Sequence, residues 1–531
     1  MFRRTLPLLR QAAGKSFYIT TPIFYPNAAP HLGHLYSMLL CDVRHRWAKL
    51  TNVPSFFTTG TDEHGLKIQT AAEKQGKDPK AFVDDLAVVF KGLASDSGIS
   101  YDRFIRTTDE DHVNTVKHFW EILEKDGLIY EGEHEGWYAM SDETFYPASQ
   151  IKQEADGKWV SIETGSEVKL TSEKNYFFKL GSFRDRIIDH MEKNPNWIIP
   201  HQKHQELLNE LKSAPLNDLS VSRPSSRLSW GIPVPSDDSQ RIYVWIDALV
   251  NYLTSAGYPN KEYMTKWPAT HLIGKDIIRF HCVYWPALLM AAGVPLPEQV
   301  VVHGHWLCEG SKMSKSKGNV VDPLKTMDVY GRDSLRFFLC ENSVLNGDNN
   351  FSEESLSRSR DLLVDKYSNL VMRVCGKKFN LARAQQNFET LKSIKFEDEA
   401  LQTQYTTLQT EIDALYSKMD QKMTQFNTSG AISDFWRLIS DANQFIQDSE
   451  PWKKPQEEKD AIIFIGAEVA RIVSILIQPI IPELSSIVLD RLSVEPNRRS
   501  VEYAGYGKDL KYGEGANRSG DYPLKKIESL K

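Results

Sequence analysis

Residues 16–52, SFYITTPIFYPNAAPHLGHLYSMLLCDVRHRWAKLTN, constrain the fold more than any other stretch of this 531-residue chain. The aromatic and β-branched run at 17–21 is the pattern of a buried strand, and Pro26, Asn27 and Pro30 mark a turn. A helix is expected from about His31–Gly33 to about Leu50, then a short strand, PSFFTTG, and another helical segment from near Glu63. Strand–helix–strand–helix order predicts a parallel sheet with right-handed crossovers. In such sheets ligands sit beyond the carboxyl ends of the strands, where helix N-termini gather.

The alternation weakens between about Gly127 and Gln240, which reads as an inserted α+β domain with two polar helices. Strand-like apolar segments resume at RIYVWIDALVNYL and THLIGKDIIRFHCVYWPALLMAAG and return the chain to its first sheet. After Asp322 the sequence becomes almost wholly helical to about residue 492, ending in a Gly- and Lys-rich tail expected to loop back over the surface. The expected division is a leader at 1–15, two halves of the parallel-sheet domain at 16–126 and 241–322 flanking the insert at 127–240, a linker at 323–358, and a helical domain with its tail at 359–531.

Net charge is −6, so any nucleic-acid partner must meet a local basic face rather than global attraction. Five scattered cysteines without a CxxC pair argue against a disulfide framework and against a cysteine-based zinc knuckle. The apolar stretch AIIFIGAEVARIVSILIQPIIPEL carries Glu468 and Arg471 in its middle, which suits a buried bundle helix and no membrane span. The opening MFRRTLPLLRQAAGKS holds Arg3, Arg4, Arg10 and Lys15, and no acidic residue precedes Asp42. That is the composition of a mitochondrial transit peptide.

Two motifs carry chemistry. In PHLGH, His31 and His34 lie at i, i+3 spacing where a strand hands over to a helix, so both imidazoles face one anion at a helix N-terminus. Gly33 between them allows close backbone approach by a nucleotide ring. SKMSKSKGN, residues 311–319, sets Lys312, Lys315 and Lys317 among serines and a glycine, a flexible loop rich in donors. Taken singly these read as surface histidines and a solvated lysine loop. Together they resemble the HIGH and KMSKS signatures of class I aminoacyl-tRNA synthetases, and KMSKS at 312–316 is an identical match. Along nearly its full length the chain resembles the methionyl-tRNA synthetases, in TPIFYPNAAPHLGH, TGTDEHG, YVWIDALVNY, GKDIIRFHCVYWPALL, SKMSKSKGN and EPW.

The resemblance implies an α/β fold: a Rossmann-like parallel-sheet catalytic domain, an inserted α+β connective domain and a C-terminal α-helical bundle. It implies that the methionine carboxylate attacks the α-phosphorus of ATP, with His31, His34, Lys312 and Lys315 as the catalytic groups around the phosphates. Gly33, Gly274, Asp276 and His303 would complete the ATP site, Asp276 on the ribose and His303 on the adenine side. Pro22, Ile23 and Tyr25 would touch methionine and Asp62 its ammonium, while Trp245, Ala248, Leu249, Tyr252, Phe280, His281 and Trp285 would wall its side chain. Sulfur packs well against aromatic rings, and Tyr25 or His281 would add a weak hydrogen bond to it. An apolar pocket alone discriminates a methylene by roughly 1–3 kcal/mol, so such polar readers matter.

The resemblance further implies recognition of tRNA(Met) by its acceptor end and CAU anticodon, with Asn369, Arg373 and Trp452 at the anticodon. Unpaired loop bases are read by stacking on aromatics and by hydrogen bonds to their edges. GWYAMSDETFYPASQ contains no cysteine, and Leu249 stands where zinc-containing relatives usually carry proline, so the chain resembles the zinc-free branch. Structural zinc is not expected, and Mg²⁺ is expected only with ATP. A monomer in the mitochondrial matrix is the expected state. A non-catalytic tRNA-binding paralogue would show eroded signatures, and editing synthetases of the class would be far longer.

Overall fold

A six-stranded sheet organises the first of two compact units. The computed structural model describes residues 15–139, 144–146, 148–162, 164–308, 310–313, 318–518 and 520–527. The first unit takes in the chain up to residue 41, then 54–95 and 99–304; the second comprises 42–53, 96–98 and 305 onward. The sheet strands are β1 (Phe17–Thr20), β2 (Ser55–Thr61), β3 (Arg103–Arg106), β4 (Ile198–Ile199), β5 (Thr270–Gly274) and β6 (Gln299–His303), in the order β3-β2-β1-β5-β6-β4. Every pairing is parallel. The chain winds outward from β1 through β2 to β3, lays β4 on the opposite edge, and then returns beside β1 with β5 and fills the gap with β6. The β1–β5 boundary is therefore a topological switch point, where a crevice opens at the carboxyl edge.

The helices of this unit are α1 (Leu32–Leu50), α2 (Leu66–Lys74), α3 (Pro79–Asp96), α4 (Glu110–Lys125), α5 (Arg184–Lys193), α6 (His201–Ser213), α7 (Val244–Ala256) and α8 (Trp285–Ala291), α1 only as far as Cys41. Gly60 in β2 is obligatory, because a Cβ there would lie 1.9 Å from the carbonyl oxygen of Ile105 in β3. The core beneath the sheet gathers Phe119, Trp120, Trp267, Trp285 and Leu288, all fully buried.

Two sequence expectations are corrected: of THLIGKDIIRFHCVYWPALLMAAG only Thr270–Gly274 is a strand, and the chain is helical from Lys275–Ile277 through Phe280–Tyr284 to α8. VWIDALVNYL, read as strand-like, is helix α7. All of its residues except Trp245 are buried, so no polar stripe exposes the 3.6-residue period. An apolar run without a solvent face does not distinguish helix from strand by pattern.

Within 127–240 the strands Ile129–Ala139 and Val168–Phe178 pair antiparallel over eleven residues and form a four-stranded sheet with Leu219–Ser220 and Thr144–Tyr146. β4 comes from the same stretch of chain and adds the outer edge of the main sheet.

The second unit is mostly helical, with the three-stranded sheet Trp306–Cys308, Ser311–Lys312 and Asn349–Phe351 as its exception. Its long helices are Glu399–Thr424, Thr428–Ser449 and Gln456–Ile477. The first two are started by Asp398 and Asn427, whose side chains accept the free N–H groups of the first turn. Glu468 and Arg471 form a fully buried pair at 2.7 Å. Arg471 also donates to the Tyr503 and Gly505 carbonyls, and Glu468 accepts from the Gly507 N–H, so the pair fastens the C-terminal tail. Such a pair is tolerated in the interior because its remaining donors and acceptors are satisfied. Among the described residues no helix is long and apolar enough to cross a membrane.

Candidate active site

His31 and His34 stand at the carboxyl edge where β1 hands over to α1, and their rings lie 3.9 Å apart. The Gly33 N–H donates to Nδ1 of His31, and the His31 N–H donates to Nδ1 of His34, each at 3.0 Å. An Nδ1 that accepts carries no proton, so both neutral rings hold theirs on Nε2. Burial, reinforced by the neighbouring His31 ring, pushes His34 well below the usual imidazole range. Phe24 and Phe90 brace His34 edge-on. Gly33 has a local task that the sequence did not reveal: a Cβ would lie 2.9 Å from Cε1 of His31 and displace the ring. The result is a pair of Nε2–H donors at a helix N-terminus, suited to phosphate oxygens.

Beside this pair, Gly274 and His303 end β5 and β6 in register. Nδ1 of His303 donates to the Gly304 carbonyl at 2.8 Å, and its Nε2 accepts from the Ser37 hydroxyl of α1 at 2.8 Å. Ser37, which the sequence did not single out, thus orients His303. Asp276 follows in the one-turn helix Lys275–Ile277 and is exposed.

The residues expected to wall methionine gather around α7. Trp245, Ala248, Leu249 and Tyr252 recur at i, i+3, i+4 and i+7 and share one face. The Tyr252 hydroxyl donates to Nε2 of His281 at 2.7 Å, while Nδ1 of His281 donates to the Ile277 carbonyl at 3.0 Å. Both ring nitrogens are thus engaged, and burial lowers this imidazole to about 4. Phe280 and His281 lie in a π-helical turn, Phe280–Tyr284, of the kind that often marks functional sites.

His271 escaped the sequence reading. Its Nε2 accepts the Trp285 indole N–H at 3.2 Å, its Nδ1 donates to the Thr20 hydroxyl at 2.8 Å, and its ring packs on Tyr252. Pro22 and Ile23 are half-buried between β1 and α1, as is Tyr25, whose ring lies under Lys67. Asp62 is buried at the end of β2 and donates its N–H to the Phe24 carbonyl, which ties the two segments together.

In the second unit Lys312 ends the strand Ser311–Lys312, its backbone opposite Leu307. Lys315 lies outside the described residues, as does Lys317. Asn369 and Arg373 occupy the helix Asn369–Val374, and Arg373 donates to the Asn443 carbonyl at 3.1 Å. Trp452 is 54% exposed, in a one-turn helix that follows Glu450 in a left-handed conformation. Among the described residues no group of three or more His, Cys, Asp or Glu could hold a metal ion. The leader at 1–15 falls outside the described residues except for Lys15.

Comparison with known proteins places the chain in a family. The chain matches the family described as tRNA synthetases class I (M) over residues 17–158 and 158–375. It matches the anticodon binding domain of methionyl tRNA ligase over 397–528. It is 48% identical to the mitochondrial methionine–tRNA ligase of Candida albicans over 99% of this chain and 98% of that protein. It is 47% identical to the corresponding protein of Saccharomyces cerevisiae, over 98% and 97%. The solved Mycobacterium tuberculosis methionyl-tRNA synthetase in complex with methionyl-adenylate superposes with a TM-score of 0.86 at 35% identity, covering 96% of this chain and 99% of that one. With family models matching most of its length and relatives 47–48% identical over nearly all of it, the chain belongs to the class I methionyl-tRNA synthetases.

Proposed function

We propose that this chain is a mitochondrial methionine–tRNA ligase working in two steps. Methionine's carboxylate attacks the α-phosphorus of ATP, forming methionyl-adenylate and releasing pyrophosphate. The 3′-terminal hydroxyl of tRNA(Met) then attacks the mixed anhydride and releases AMP. The observation that carries the reading is the His31–His34 pair, whose Nδ1 atoms both accept backbone N–H groups, which leaves the ring proton of each on Nε2.

No covalent enzyme intermediate is needed, so the protein's contribution is positioning and charge stabilisation. His31 and His34 donate to the phosphates as negative charge shifts onto the leaving pyrophosphate, and Lys312 and Lys315 neutralise it further. Donors that engage as charge develops raise the rate without over-stabilising bound ATP. Gly33, Gly274, Asp276 and His303 seat the nucleoside, and Mg²⁺ enters with the triphosphate. Asp62 takes the methionine ammonium, and Pro22, Ile23 and Tyr25 line the same end. Trp245, Ala248, Leu249, Tyr252, Phe280 and Trp285 surround the thioether with apolar and aromatic surface, while His281 holds Tyr252. Asn369, Arg373 and Trp452 read the CAU anticodon. The enzyme acts as a monomer in the mitochondrial matrix.

ATP–pyrophosphate exchange measured with each of the standard amino acids tests the assignment. Exchange is expected with methionine alone. Exchange without methionine dependence, or faster with another amino acid, overturns it.

A further inference from the structure

The stripe of α7 opposite the pocket carries a carboxylate held by two imidazoles. Asp247 lies two residues after Trp245, and Thr254 lies seven residues beyond Asp247, both turned away from Ala248, Leu249 and Tyr252. Asp247 is 1% exposed. Its Oδ2 accepts from Nδ1 of His64 at 2.7 Å, and its Oδ1 accepts from Nε2 of His112 at 2.7 Å. The other nitrogen of His112 bonds the Thr254 hydroxyl at 3.0 Å, so His112 on α4 grips α7 at two points two turns apart. Burial opposes ionisation of Asp247, yet the two imidazoles hold its carboxyl below the usual range.

The far end of this network reaches the opposite end of the methionine site. His64 belongs to the loop D-E-H-G that follows β2 and begins with Asp62. Between them, Glu63 is fully buried and paired with Arg106 at 2.7 Å, with Thr61 and Thr108 donating to the same carboxylate. Asp62 therefore sits in a loop whose next two residues are both anchored. One of those anchors is the helix that carries the side-chain wall.

We propose that Asp247, through His64 and His112, is a positioning residue that fixes the spacing between the ammonium end and the side-chain end of the methionine pocket. This rests on the methionine-binding reading above. Both histidines act through Asp247, which they bond directly. Their bonds set how far the Asp62 loop stands from the α7 face, and hence what length of side chain fits between them. A bond of this kind survives in the low-dielectric interior only while both partners remain, because a lone buried carboxylate is costly.

The test uses the full-length enzyme and compares His64→Leu, which removes the donor, with His64→Asn, whose amide nitrogen can take the place of Nδ1. His64→Leu is expected to raise the methionine KM about tenfold in ATP–pyrophosphate exchange, leave the ATP KM within twofold, and narrow the preference for methionine over ethionine, its one-methylene-longer homologue. His64→Asn is expected to restore the methionine KM to within about threefold. Equal behaviour of the two variants, or parallel changes in the methionine and ATP constants, overturns the proposal. If His64→Leu does not fold, Asp247→Asn decides: it keeps the shape of the site and must still raise the methionine KM, and an unchanged value overturns the proposal. Wild-type exchange that shows no methionine dependence would count against the functional reading instead.

Discussion

Trp245 lies flat against Phe280, with ring centroids 3.6 Å apart and planes 14° from parallel. The two come from different elements, α7 and the π-helical turn Phe280–Tyr284, and both remain half-buried. A pair this close has no gap for a ligand, so in the proposed reading methionine meets it as one surface. Trp245→Ala is expected to raise the methionine KM about tenfold, the equivalent of about 1.4 kcal/mol, and to leave the ATP KM unchanged. Exchange kinetics with each substrate varied in turn check this, and a rise in the ATP KM alone contradicts it.

Acid should weaken the pocket through His281. Burial lowers its imidazole to about 4, below the ordinary value of about 6.5. The unfolded chain therefore binds this proton more readily than the folded one. The stability conferred by keeping the ring neutral is fully present above about pH 6.5 and is lost as pH falls towards about 4. Its size is on the order of 3 kcal/mol. Thermal unfolding of the wild type should lose more stability across that window than His281→Gln, which has nothing there to titrate. Identical pH profiles refute this.

Gly33→Ala should damage the phosphate site more than either binding constant. Its methyl would lie 2.9 Å from Cε1 and 3.1 Å from Nδ1 of His31, so the ring must leave the Gly33 N–H. Losing one aligned transition-state donor typically costs about 10²–10³ in rate. Single-turnover adenylate formation should fall on this scale with the methionine Kd preserved; a full rate would show that the ring position is immaterial.

Glu450 occupies the left-handed region at φ 42°, ψ 61°, as the C-cap of Thr428–Ser449 immediately before Pro451 and Trp452. A non-glycine residue there bears roughly 1–2 kcal/mol of strain. Its ion pair with Lys453 is exposed and contributes little. Glu450→Gly is therefore expected to stabilise the protein by about 1 kcal/mol, read as a higher denaturation midpoint. Trp452→Ala should lower kcat/KM for tRNA charging by about 10–100-fold, in line with about 1–3 kcal/mol per stacked base, while amino-acid exchange is untouched. A loss of exchange in that variant contradicts an anticodon role.

The strand–helix unit around β1 and α1 was legible because propensity, turn residues and apolar period agree there. The sequence placed the PHLGH histidines at the strand–helix junction, but not their backbone bonds or the steric role of Gly33, since these depend on how the ring folds back. Thr20, His271 and Trp285 form one network although Thr20 and His271 are 251 residues apart, and no local pattern announces such a bond. The same holds for His112 and Asp247, separated by 135 residues. Helix α7 was misread because burial on every side erases amphipathic period. Asn349–Phe351, in a region that reads as helical, is a strand only because Trp306–Cys308 supplies its partner.

The most direct test of the central claim replaces His34 by Gln and by Asn and measures single-turnover methionyl-adenylate formation. Gln sets its amide nitrogen where Nε2 stands, whereas Asn reaches only the position of Nδ1. If an Nε2–H donor at residue 34 acts on the phosphates, His34→Gln retains activity within about tenfold of wild type and His34→Asn loses about 10²–10³. Equal rates for the two variants, or the greater rate with Asn, would contradict the account.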